Sequence, residues 1–182
     1  MIQLIRKFVK IRKFVGGFTL IEMLVAISII IILTTISVPI YQGSRKQLSL
    51  QMSASKLAQD IRRAQEMAMA AREFQGSVPS VPSGGYGIYF NLSEPSHYIL
   101  FADTSIPPNH QYNSGELVED IPFENNIKIS QLFPSSTTTI VFVPPDPTTL
   151  VNSYATTSII VLKIDNSTSS VKVLPTGLIF IE

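Results

Sequence analysis

Glu22 is the sole ionisable residue between Phe18 and Ile40, a run that is otherwise almost wholly apolar. A carboxylate placed in a membrane span costs on the order of 2.5–3.5 kcal/mol by insertion scales, so it is read as functional and as needing a cationic partner. A buried anion and a buried cation are each unfavourable alone, and pairing them removes the penalty only in the correct register. The chemistry this suggests is registration, not catalysis. The other reactive side chains form no comparable pattern. His97 and His110 lie in strand and turn sequence with no cysteine and no metal-ligand spacing around them, and are read as surface or turn histidines. Asp103, Asp146 and Asp165 fall in polar loops where carboxylate oxygens could meet a calcium ion, yet Asp is also an ordinary turn residue. No nucleophile elbow, phosphate loop or dinucleotide fingerprint occurs, so no catalytic residue, cofactor or metal ligand is assigned and an enzyme is not expected.

The element that must carry Glu22 is a helix long enough for a bilayer. Met23 to Ile40 is 18 residues, about 27 Å at the helical rise, and Phe18 to Ile21 extend it to a full span. A secretory signal peptide would have a shorter apolar core with its small residues beyond it; here Gly16 and Gly17 precede the run. A plain signal anchor would explain the span and the upstream cations Arg6, Lys7, Lys10, Arg12 and Lys13, which orient the N-terminus inward. It gives no reason for Glu22.

The order of residues does. A basic leader, then Gly16-Gly17-Phe18-Thr19-Leu20-Ile21-Glu22 immediately before a span, resembles the leader and processing site of type IV prepilins and type II secretion pseudopilins. The resemblance implies that a prepilin peptidase cuts after Gly17 and methylates the freed amine of Phe18. It further implies that Glu22, then the fifth residue, neutralises that amine on a neighbouring subunit. A cut after Gly16 would leave Glu22 sixth and break the pattern. Pilin relatives commonly have a proline near the outer end of the span, where the helix is locally unwound in filaments. Pro39, which removes a helical hydrogen bond, is by that likeness a flexible joint.

The composition suits one anchored module: 182 residues with no cysteine, hence no disulfide framework and no lipoprotein anchor. Charge is unevenly spread. Residues 1–17 carry five cations and no anion, whereas residues 75–182 carry three cations and nine anions, a net of −6. DNA binding rests on clustered Lys and Arg that neutralise phosphate. The cations Arg45, Lys46, Lys56, Arg62, Arg63 and Arg72 alternate with Asp60, Glu66 and Glu73. They read as a solvated helix face with i,i+4 pairs Lys56–Asp60 and Arg62–Glu66, so no nucleic-acid partner is expected. Arg45 and Lys46 would meet lipid headgroups or acidic neighbours.

Beyond the span, Leu50, Ala54, Leu57, Ile61, Ala64, Ala68 and Ala71 recur at spacings of four and three, an apolar seam facing the head's own sheet. Phe74 to Gly85 is rich in Gly, Pro and Ser and reads as a loop. Strands are expected at 86–92, 98–103, 127–133, 138–143, 158–164, 171–174 and 178–181, with a hairpin turn over 165–170. The fold class is therefore α+β: a long N-terminal transmembrane and stalk helix packed on an antiparallel β-sheet head. The expected divisions are a removed leader (1–17), a transmembrane helix (18–42), a stalk helix (43–74) and a β-rich head (75–182).

Leu57 to Ala68, Gly84-Gly85-Tyr86-Gly87-Ile88-Tyr89-Phe90 and Leu174-Pro175-Thr176-Gly177-Leu178 are similar to scattered segments of H-type minor pseudopilins. Pro144-Pro145-Asp146-Pro147 departs from the Pro-x-Gly turn of those relatives, and Leu178 from a common basic residue. The resemblance implies a structural subunit of a type II secretion pseudopilus in the inner membrane, with its head on the periplasmic side. Its partners would be prepilin peptidase, other pilin or pseudopilin subunits and membrane lipid. A minor pilin of a type IV pilus or uptake filament is the alternative within the class. A membrane-anchored β-rich binding module that never polymerises is the alternative outside it.

Overall fold

The structure is a computed structural model that describes residues 17–76, 80–145 and 149–182. It divides into two compact units, Met1–Gln42 and Gly43–Glu182. The basic leader, Gly16 and Asp146 lie outside the described residues.

Helix α1 runs from Leu20 to Met69. Its start is set by Thr19, whose hydroxyl accepts the Glu22 N–H at 3.3 Å while its carbonyl accepts the Met23 N–H at 3.2 Å. Thr19-Leu20-Ile21-Glu22 is thus the S/T-x-x-E signature of a capped helix start. The backbone is helical at both Pro39 and Gly43, so the expected interruption at Pro39 is absent in this state. The helix ends on a Schellman pattern: the Arg72 N–H donates to the Met67 carbonyl and the Ala71 N–H to the Ala68 carbonyl. Ala71 sits there with a φ of 46°, in the left-handed region usually left to glycine. Helix therefore stops short of the expected boundary at 74, and Ala71 leaves the seam to become an exposed cap.

Within the unit Gly43–Glu182, nine strands follow among the described residues: β1 Tyr86–Asn91, β2 His97–Ala102, β3 Leu117–Pro122, β4 Lys128–Phe133, β5 Thr137–Phe142, β6 Thr149–Val151, β7 Ser158–Ile164, β8 Ser167–Val173 and β9 Ile179–Ile181. They form two antiparallel sheets, ordered β3-β2-β1-β5-β6 and β4-β7-β8-β9. The helical seam Leu50, Ala54, Leu57, Ile61, Ala64 and Ala68 is buried in one cluster with Ile88 and Phe90 of β1, Ile140 of β5, Leu162 of β7 and Val171 of β8. The fold is accordingly α+β, with the second half of α1 packed on antiparallel sheets. Alanines in the seam let the backbones approach closely, as the 3.6-residue period requires.

Two strands were not expected. β3 carries Glu119, Asp120 and Pro122, poor strand formers that are tolerated because it is an edge. β6 is only three residues long. The turn expected over 165–170 shrinks to Asp165 and Asn166, since Ser167 to Ser170 pair with Ile164 to Val161.

The face of the five-stranded sheet opposite α1 has its own cover. Residues 103–116 fold back so that the Tyr112 ring packs tilted against Tyr89 (5.3 Å) and edge-on to Phe101 (5.7 Å). A Cβ on Gly87 would press on Phe101 and Val141, which explains a glycine at this close contact. Phe101 and Val141 are fully buried yet outside the cluster that packs on α1.

Candidate functional site

The site is the N-terminal stretch Gly17 to Ile40. A side chain on Gly17 would meet nothing within 4 Å, so no contact among the described residues requires a glycine there. Phe18 is 78% exposed. Helix capping by Thr19 fixes the next turn and places Glu22 in it, where the exposed N–H groups favour a negative charge. No cation lies within 4 Å of the Glu22 carboxylate among the described residues. Gly17, Phe18 and Glu22 are thus gathered at one helix end. Pro39 stands 17 residues beyond Glu22, roughly 26 Å along the axis at the helical rise.

From Leu20 onward α1 is long and apolar enough to cross a membrane: its most apolar 18-residue window has a mean hydropathy of 2.6 and none of that window is buried. The polar side chains within it are satisfied locally. Ser28, Thr34, Thr35 and Ser37 each donate their hydroxyl to the carbonyl four residues back, at 2.7–2.8 Å. Such bonds leave no hydroxyl unpaired in lipid. The Glu22 carboxylate has no ion pair among the described residues.

The remaining chemical candidates serve the fold. Asp103 is fully buried and accepts the Ser105 and His110 N–H groups at 3.1 and 2.7 Å. Glu116, also buried, accepts from the Thr104 N–H, the Ser105 hydroxyl and the Asn113 N–H. These two carboxylates close the 103–116 loop, a use of acidic residues that the sequence reading missed. Asp165, at the tip of the β7–β8 hairpin, pairs with Lys46 of α1 at 2.5 Å. Asp103 and Asp165 are therefore spent on separate tasks, and no group of three metal-ligating side chains occurs among the described residues. His97 stands 3.6 Å from Glu94 and 3.9 Å from Asp120. His110 is three-quarters buried against Asp103, not a surface residue.

The i,i+4 pairs expected on the stalk do not form. Asp60 accepts the Tyr98 hydroxyl at 2.5 Å and Arg63 bridges to Glu119 at 2.7 Å. Burial, then the neighbouring Asp60 carboxylate, raises the Tyr98 pKa well above the tyrosine range.

An exposed apolar helix with a capped start and one unanswered carboxylate, joined to an α+β head, defines a pilin-like class of protein. A family model, the prokaryotic N-terminal methylation motif, matches residues 12–38. Those residues therefore carry the kind of motif that heads type IV prepilins and pseudopilins, and the motif implies processing by a prepilin peptidase and assembly with other pilin subunits. No curated protein and no solved structure matches the chain.

Proposed function

We propose that this chain is a structural, non-enzymatic subunit of a type II secretion pseudopilus. In this reading it is cut after Gly17, methylated on the Phe18 amine, and assembled through the first half of α1. Glu22 then pairs with the Phe18 amine of a neighbouring subunit and sets their stagger, Pro39 serves as a joint that loosens on assembly, and the head stands on the periplasmic side of the inner membrane. The observation that carries the proposal is the Glu22 carboxylate, standing in the first turn of an exposed apolar helix whose start Thr19 caps through the Glu22 N–H, with no cation within 4 Å among the described residues. A type IV pilus minor pilin would use the same N-terminal device, so the choice of a secretion filament rests on the H-type likeness of the stalk and head.

The test is coexpression of the full chain with a prepilin peptidase and N-terminal sequencing of the product. A chain beginning at methylated Phe18 is expected. A different N-terminus, or no processing, overturns the assignment of Gly17 and favours an anchored module that does not polymerise.

A further inference from the structure

Each sheet in the head has two edges, and an open edge offers main-chain hydrogen-bonding groups to any extended segment. Three of the four edges are blunted. β3 carries Glu119, Asp120 and Pro122 and a register shift against β2. β4 has a bulge, and its Ile129 N–H is already given to the Pro95 carbonyl. On β6 the Thr149 N–H donates to Pro175 and the Val151 N–H to Tyr154, whose own N–H returns to Val151.

β9 has none of these devices. Ser170 and Glu182 exchange both main-chain bonds, and Leu174 donates to Leu178. In an antiparallel ladder such pairs alternate with pairs whose groups point away, so Phe180 bonds inward to Lys172 of β8 while the N–H and C=O of Ile179 and Ile181 face the open side. Those groups have no hydrogen bond on that side among the described residues. The flanking side chains are apolar and exposed: Leu178 56%, Phe180 47% and Ile181 44%. A groove of about 600 Å³, lined by Gln47, Leu50, Gln51, Thr168, Ile181 and Glu182 among others, lies between α1 and the sheet beside Ile181.

We propose that β9 is a docking edge that accepts one extended strand of a partner polypeptide as the fifth strand of the β4-β7-β8-β9 sheet. The free main-chain groups demand an extended backbone, not a helix, lipid or nucleic acid. Ile179 and Ile181 on the α1 side demand apolar residues beside them. On the other face Phe180 calls for an aromatic or aliphatic neighbour and Glu182 for a cation. A second copy is a poorer occupant, because its β4 edge is closed and its β9 segment, Leu178 to Glu182, brings no cation to Glu182. The inference stands apart from filament assembly.

The probe is a synthetic peptide, Thr-Lys-Val-Tyr-Val-Thr, titrated into the full chain in detergent micelles with amide exchange followed at each residue. In the free chain the Ile179 and Ile181 amides should exchange far faster than Val171 and Val173. Saturating peptide should slow them by about tenfold or more. Ile181→Pro deletes an outward N–H that the chain itself does not use, so it should abolish binding, whereas Ile181→Val should keep it. If Ile181→Pro fails to fold, the same peptide with its paired amides methylated must fail to bind the parent. Protection already present without peptide, no slowing at millimolar peptide, or binding that survives the loss of these amides would overturn the inference. A peptide-free dimer that Ile181→Pro dissociates would show a second copy to be the occupant and overturn the choice of partner.

Discussion

Glu22 and Asp60 are both helix carboxylates, and their fates differ because of what lies within reach. Asp60 takes the hydroxyl of Tyr98 from the sheet and so fixes the rotation of α1 on the head. Tyr98→Phe should cost about 1–3 kcal/mol, the usual penalty for leaving a partly buried acceptor without its donor, read as a lower melting temperature of the head. The pH dependence has a definite sign. A folded-state pKa raised above the ordinary tyrosine value of 10.0 gives stability that is complete below pH 10 and lost as pH rises beyond it. Alkaline unfolding should therefore set in at higher pH in Tyr98→Phe than in the parent, measured relative to each protein's stability at neutral pH. Glu22 has no such partner among the described residues. Glu22→Ala should insert, be processed and carry a folded head, yet fail to crosslink to a neighbouring subunit through cysteines placed between Met23 and Ile40. Equal crosslinking in that variant would remove the cross-subunit ion pair as the assembly mechanism.

At the scale of elements, the end of α1 offers a direct test. Ala71 holds a left-handed conformation at a position where glycine has no steric cost, so Ala71→Gly should stabilise the head by about 1 kcal/mol. Denaturant unfolding would show it as a higher midpoint at unchanged slope. A loss of stability would mean that the Schellman cap does not form. The seam from Leu50 to Ala68 was legible in the sequence because helical burial repeats at a fixed interval. The failures have equally local causes. Glu119, Asp120 and Pro122 hide β3, since an edge strand with a single fully buried residue, Ile121, shows no alternation to read. Ser167 to Ser170 look like a turn because three serines outweigh the one strand former, Thr168, until Ile164 to Val161 pair with them. The Lys56–Asp60 pair was misplaced because the better partner of Asp60, Tyr98, comes from a strand 38 residues away; nothing in the structure explains why Arg62 and Glu66 stay apart. At the candidate site Glu22 was plain from its isolation in an apolar run. Thr19 was overlooked, although the four-residue capping signature stood beside it.

For the whole molecule, charge sets what the head can attract. Residues 75–182 carry a net of −6, and two of the anions, Asp103 and Glu116, are turned inward to close a loop. Of the stalk cations, Lys46 and Arg63 are engaged with Asp165 and Glu119. The full chain in detergent should therefore show no salt-sensitive micromolar binding when titrated with labelled duplex DNA near physiological salt. Such binding would mean that the stalk arginines form a site and would favour an uptake filament. The head also holds two separate packed regions, one against α1 and a smaller one where Tyr112 closes over Phe101 and Tyr89 on the opposite face. A change of length or sequence at the tip of the 103–116 loop disturbs only the smaller of them. What the molecule displays can thus diverge rapidly between related chains while the machinery that holds it in place stays under separate constraint.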